Sequence, residues 1–167
     1  MIGYGFLDKT ARRVTLRPVD DENWRSVADI APLDSQRSYV PALAARYLLL
    51  SMRENVWRSL AVYADDVVVG HIMWGLDDDG SHWLGGLMID ASAQGKGLGR
   101  AVVRTITAWL VAQEGCRVIR LSYHAENTAA RHLYESAGFM PTGAVEDDEI
   151  VAEIAPEAVT TTTQSAP

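Results

Sequence analysis

Apolar positions along the chain change period several times, and each change marks an element. Val14, Leu16 and Pro18 alternate with Thr15 and Arg17, which predicts a first strand. Trp24, Val27 and Ala28 then take helical spacing. Asp20 or Asp21 can cap a helix from about Glu22 to Ile30, and Pro32 breaks it. Leu43, Tyr47, Leu48 and Leu50 predict a second helix over about Pro41 to Ser51, which either walls a substrate cleft or simply covers the core. Leu60 to Tyr63 and Val67 to Trp74 read as a hairpin around Asp65-Asp66. Beyond the turn Asp77-Asp78-Asp79-Gly80, His82 to Ile89 return as a fourth strand of an antiparallel meander. Gly85-Gly86 interrupts that strand. The pair marks a bulge, a close approach by a ligand, or a packing need for small side chains.

The second half has a different rhythm. Leu98, Val102, Ile106, Trp109 and Leu110 share one helical face, and Gly115 follows the helix. Val118 to Leu121 is a short apolar strand. This strand–helix–strand run implies a crossover and parallel neighbours. Asn127 and Thr128 open another helix through Ala130, Leu133 and Tyr134, stopped by Gly138. Phe139 to Thr142 and Glu149 to Ile154 form a last pair of strands around Glu146-Asp147-Asp148. The expected fold is α+β: one domain over residues 13–154, with a mixed central sheet flanked by helices. Its N-terminal half is antiparallel and its C-terminal half is βαβα. Residues 1–12 read as a flexible leader and residues 155–167, rich in Ala and Thr, as a disordered tail. Where the sheet changes from antiparallel to parallel, neighbouring strands are expected to splay and open a slot.

Composition narrows the function. The 167 residues suffice for one domain with a real core. A net charge of −7 argues against a nucleic-acid partner and is compatible with a cationic substrate. Cys116 is the only cysteine, so an internal disulfide and a Cys-based zinc site are excluded. No apolar run approaches the length of a membrane span and no secretory leader is visible, so a cytoplasmic location is expected.

The chemistry concentrates at Asp90 to Arg100. An apolar strand stops, a turn with Gly95, Gly97 and Gly99 follows, and a helix begins. The first N–H groups of a helix lack intrahelical partners and sit at the positive end of its dipole, which suits a phosphate. Lys96 and Arg100 add positive charge there. The glycine spacing fits neither a P-loop nor a dinucleotide fingerprint.

Taken with the downstream segment, the pattern is more specific. Gln94-x-x-Gly97-x-Gly99 and then Asn127-x-x-Ala130-x-x-Leu133-Tyr134-x-x-x-Gly138-Phe139 together resemble the GNAT superfamily of acyl-CoA-dependent N-acetyltransferases, over about residues 13–154. The resemblance implies acetyl-CoA as co-substrate and no metal. It implies that the backbone of Leu87, Met88 and Ile89 pairs with the pantetheine arm and the acetyl carbonyl. It implies that Gln94, Gly95, Lys96, Gly97, Leu98, Gly99 and Arg100 hold the pyrophosphate, and that Asn127 bonds the pantetheine arm or caps its helix, or both. Tyr134 is then the general acid near the sulfur, since a phenol can protonate a leaving thiolate.

The strings Trp83 to Asp90, Leu121-Ser122-Tyr123 and Gly143 to Glu149 look like bacterial spermidine/spermine N-acetyltransferases, which implies a small-molecule amine acceptor, with polyamines foremost. Aminoglycosides, amino acids or protein N-termini are the alternative acceptors. An acyl-CoA-binding sensor without turnover is the alternative class. Relatives often carry an acid near positions 84–87, where this chain has Leu84-Gly85-Gly86-Leu87. The general base is therefore open among His82, Asp90, His124 and Glu149. Dimers are common among such look-alikes, but no residue here demands one.

Overall fold

The computed structural model describes residues 1–159. Seven strands form one sheet in the order β1-β2-β3-β4-β5-β7-β6. They are β1 (Val14–Pro18), β2 (Arg58–Ala64), β3 (Val67–Leu76), β4 (His82–Ile89), β5 (Ile119–His124), β6 (Met140–Glu146) and β7 (Glu149–Ile154). The helices are α1 (Trp24–Ala28), α2 (Ala45–Glu54), α3 (Leu98–Val111) and α4 (Thr128–Ser136). The expected α+β domain with a mixed sheet is thus observed: β4 and β5 are parallel and every other neighbouring pair is antiparallel.

Strand alternation decides which helices cover which face. On β2, Leu60, Val62 and Ala64 point into the main core with Leu98, Val102, Ile106 and Leu110 of α3. The intervening Ala61 and Tyr63 pack with Val27 of α1 on the other face. Helix α3 is apolar nearly all round, and its buried threonines return their hydroxyls to their own helix: Thr105 to the Ala101 carbonyl and Thr107 to that of Val103, each at 2.8 Å. Full burial of each of its large aliphatic side chains contributes about 1.5–3 kcal/mol, which makes α3 the spine of the domain.

The expected slot is present. The parallel pair β4–β5 is in register only from His82 opposite Ile119 to Leu84 opposite Leu121. Beyond Leu84 the two strands part, although β4 continues to Ile89 and β5 to His124. On its other side β4 carries a bulge: His71 faces Met88 and Met73 faces Gly85, so Gly86 and Leu87 together oppose Ile72 alone. Gly86 has φ +58, the left-handed region that favours glycine.

Residues 1–12, expected to be a flexible leader, make contacts with the sheet and the core. Ile2 bridges Leu16, Leu7 bridges Arg13, and Phe6 is buried in the main core beneath the Arg104 guanidinium. Asp8 organises the segment by accepting from the Thr10 hydroxyl and amide and from the Arg12 amide and guanidinium. These local bonds replace the apolar periodicity that would have announced an element. At the other end Pro156–Ala158 form a short 3-10 turn, and the rest of the expected tail lies outside the described residues.

Candidate active site

The slot opens into a cleft of about 740 Å³ that reaches from the glycine turn to the β6–β7 hairpin. At the glycine-turn end, Gly95 and Gly97 have φ +79 and +78, and Gly97 is the N-cap of α3. This left-handed curl turns successive backbone N–H groups toward one point, as an anion requires. A side chain at 97 would meet Lys9 at 3.0 Å, so the N-terminal segment lies against the turn, where the Lys9 amide donates to the Lys96 carbonyl at 2.8 Å.

The sequence-predicted residues separate into two sets. Leu87, Met88, Ile89, Gln94, Gly95, Gly97, Leu98, Gly99, Asn127 and Tyr134 all line the cleft; Lys96 and Arg100 do not. Arg100 projects outward, and Lys96 Nζ approaches the Ser92 carbonyl at 3.5 Å. The Gln94 side chain is spent inside the protein. Its Nε2 donates to the Ile89 carbonyl and to Gln36, whose own amide donates back to Gln94 Oε1. This reciprocal pair ties the turn to the loop before α2.

Asn127 caps α4, its Oδ1 accepting from the Ala130 amide at 3.1 Å. Its amide NH₂ is left over for a ligand. Tyr134 packs between Tyr123 (5.8 Å between centroids) and Phe139 (6.1 Å). Burial, with the nearby Tyr47 and Glu149, pushes its phenol above the ordinary value of 10, so it stays protonated and donating at neutral pH.

The four base candidates also separate. Asp90 is committed: burial alone would raise its carboxyl, but bonds from the Ser92 hydroxyl and amide and from the Ala31 amide outweigh that and hold it low. His82 is buried against Trp74 outside the cleft, and burial lowers its pKa. His124 and Glu149 both line the cleft and touch, with Nε2 to Oε1 at 3.4 Å, while the Ser122 hydroxyl donates to Glu149 Oε2. The pair arises from the β5–β7 register, which sets His124 opposite Glu149.

Several cleft residues were not singled out in the sequence. Trp57, just before β2, packs its ring against Gly75 and Gly85, where added side chains would meet it at 3.5 and 3.3 Å. Gly85 is therefore the packing glycine of the pair and Gly86 the bulge. Tyr39, Tyr47 and Trp83 also line the wall. Asp77, Glu146, Asp147 and Glu149 are its carboxylates, and among the described residues no lysine or arginine lines it. The cleft therefore draws its carboxylates from the acidic turns at Asp77 to Asp79 and Glu146 to Glu149, both visible in the sequence, and none from 84–87. Among the described residues no group of three or more His, Cys, Asp and Glu side chains could hold a metal, and no helix is long and apolar enough to cross a membrane.

A strand that leaves its parallel neighbour halfway, a helix N-terminus at the gap and a phenol facing it define an acyl-CoA-dependent transferase. The chain belongs to the Acetyltransferase (GNAT) family, whose profile matches residues 20–139. It is an acetyl-CoA-dependent N-acetyltransferase. It is 29% identical over 138 residues to the spermine/spermidine N(1)-acetyltransferase of Bacillus subtilis, covering 78% of this chain and 90% of that one. Spermidine N-acetyltransferase from Vibrio cholerae, in complex with CoA and spermine, has a similar fold. Its TM-score is 0.70 at 19% identity, over 87% of this chain and 97% of that one. Aminoglycoside acetyltransferase AAC(6')-Ib in complex with coenzyme A is also similar, with a TM-score of 0.73 at 20% identity over 87% and 96%.

Proposed function

We propose that this enzyme acetylates a primary amine of a polycation, a polyamine such as spermidine or spermine, by direct attack, with Tyr134 as general acid and Glu149 as base. The observation that carries the acceptor is the cleft wall: among the described residues it holds four carboxylates, six Tyr and Trp rings and no lysine or arginine, while Arg37, Arg46 and Arg53 line the adjoining hollow. Carboxylates attract ammonium groups at a distance, and ring faces take them at contact. The Bacillus relative and the spermine complex of the Vibrio fold neighbour support the same class. When bound, acetyl-CoA supplies a thioester whose C–S bond breaks as the amine nitrogen bonds the acetyl carbon.

The residues have separate tasks in this reading. The N–H groups of the Gly95–Gly99 turn hold the pyrophosphate, and the β4 edge and the Asn127 amide hold the pantetheine arm. Glu149, whose Oε1 meets His124 and whose Oε2 accepts from Ser122, takes the proton the ammonium must lose. Tyr134 gives its proton to the sulfur. Donation from so high a pKa toward a thiol of about 8.5 is uphill alone. It is offset because the same phenol can regain the proton that the acetylated nitrogen releases, so one proton passes net from nitrogen to sulfur.

Thiol release measured with spermine, spermidine, a diamine, an aminoglycoside and an amino acid tests the acceptor. Spermine or spermidine should give the highest kcat/KM, and Glu149→Gln should lower it about 100-fold or more. A preference for the aminoglycoside would transfer the same acidic wall to amino-sugars. Acetyl-CoA binding without turnover on any amine would make the protein a sensor.

A further inference from the structure

His71 is the residue of β3 that the mechanism leaves unexplained. It is wholly buried in a strand otherwise made of Val, Ile, Leu, Met, Trp and Gly. One ring nitrogen, Nδ1, lies 2.7 Å from the Gly86 carbonyl oxygen, and the other, Nε2, lies 2.9 Å from Ser59 Oγ. A carbonyl only accepts, so the proton sits on Nδ1 and Nδ1–H donates to Gly86. Nε2 must then accept from the Ser59 hydroxyl, whose oxygen accepts in turn from Ser51 at 2.7 Å. Every donor in this string has one acceptor, which fixes the tautomer. Burial holds the ring's pKa down to about 4, so it stays neutral while the enzyme works. Tyr47 stacks on the ring, 5.4 Å between centroids and 4° from parallel, and closes it from the cleft.

The partner of this string is not ordinary sheet backbone. Gly86 is the bulge residue of β4, displaced with Leu87 from the register with β3. A bulge residue has lost its ladder partner, so its peptide planes are free to rotate unless something else holds them. No peptide bond is cis among the described residues. In a trans peptide the carbonyl of one residue and the N–H of the next point in opposite directions. Holding the Gly86 oxygen on His71 therefore turns the Leu87 N–H away from His71, and Leu87 lines the cleft where β5 has left β4.

We infer that His71 is a positioning residue for acetyl transfer: by bonding the Gly86 carbonyl it aims the Leu87 N–H into the slot as the fixed donor to the acetyl carbonyl oxygen. This rests on the reading of Leu87 to Ile89 as the edge that takes the acyl arm. A donor held in place before reaction stabilises charge on that oxygen without reorganising. A peptide left to rotate would lose that effect while still allowing the pyrophosphate to bind at the glycine turn. His71 thus belongs to kcat rather than to cofactor affinity. The string also runs from Ser51 on α2 through Ser59 on β2, so a helix of the acceptor wall is fastened to the donor-holding bulge.

The test separates the N–H donor from the bulk of the ring. Asparagine places an amide N–H near the position of Nδ1; glutamine places one near Nε2; leucine keeps volume alone. Expected are a fall in kcat of about 10–100-fold for His71→Leu and His71→Gln, with KM for acetyl-CoA and Kd for desacetyl CoA within about threefold, and recovery of most of kcat in His71→Asn. Ser59→Ala provides a variant at a half-buried position of β2, away from the bulge. It removes the bond that holds Nε2 and so loosens the ring, and kcat should fall severalfold with little change in melting temperature. Hydrogen exchange supplies the independent readout: acetyl-CoA should protect the Leu87 amide in the wild type and not in His71→Gln. Absence of that protection in the wild type would overturn the acyl-edge reading itself. Protection in the wild type with unchanged kcat in His71→Gln, or equal kcat in the asparagine and glutamine variants, would overturn the role of His71 alone.

Discussion

At the scale of single residues, the site depends on atoms whose chemistry is set by their neighbours. Tyr134 keeps its proton because burial disfavours the phenolate and Glu149 and Tyr47 stand close. Tyr134→Phe should lower kcat about 100-fold or more while leaving acetyl-CoA affinity nearly unchanged. Equal turnover in the two enzymes, measured by thiol release, would remove Tyr134 from the chemistry. Gly97 does a different job with its backbone alone. Gly97→Glu imposes a side chain at φ +78, drives it against Lys9 and sets a carboxylate where phosphate is expected. Like charges in contact cost several kcal/mol, so titration calorimetry should show acetyl-CoA binding weakened roughly 100-fold or more, with far-UV circular dichroism unchanged.

At the scale of elements, two strand features make the cleft: the early end of β4–β5 pairing and the bulge that offsets β4 from β3. The Trp57 ring fills what Gly75 and Gly85 leave open, so the cleft is aromatic there rather than acidic. The N-terminal segment behaves as an element too. Phe6 sits in the main core and Lys9 braces the glycine turn. We propose that residues 1–12 are an integral part of the domain. Phe6→Ala should cost about 3–5 kcal/mol of stability, read from the urea midpoint, whereas a detached leader would lose nothing. The strands and α3 were legible in the sequence because their periods are local and regular. The N-terminal segment was not, because its order comes from Asp8 bonding Thr10 and Arg12 and from one aromatic side chain, which leave no period.

At the scale of the whole molecule, stability should fall on mild acidification. His71 is held to about 4 when folded against 6.5 ordinarily, and His82 is also lowered, both by burial. Between those values the unfolded chain binds protons that the folded chain refuses. Stability is therefore full above about pH 6.5 and is lost as pH falls toward 4, by on the order of 3 kcal/mol for His71. Asp8 acts later in the same direction. Burial would raise its carboxyl, but its bonds from Thr10 and Arg12 hold it near 2, so that contribution is lost only below about pH 4. Urea midpoints from pH 7 to 4 should drop steadily in the wild type and less steeply in His71→Asn. Parallel slopes would show that His71 is not the group that titrates.

The sequence by itself determined the family of this enzyme and the segments proposed to hold the donor. A strand end, the glycines at 95, 97 and 99, a helix start and Asn127 capping the helix that carries Tyr134 are each written within a few consecutive residues, and their spacing dictates their chemistry. Only the tertiary structure decided which distant residues meet in the cleft. Glu149 meets His124 through strand register, the carboxylates at 77 and 146–149 come from distant turns, Trp57 explains Gly85, and His71 finds Gly86 across a bulge. These contacts join residues far apart along the chain, and a one-residue change of register would undo each of them.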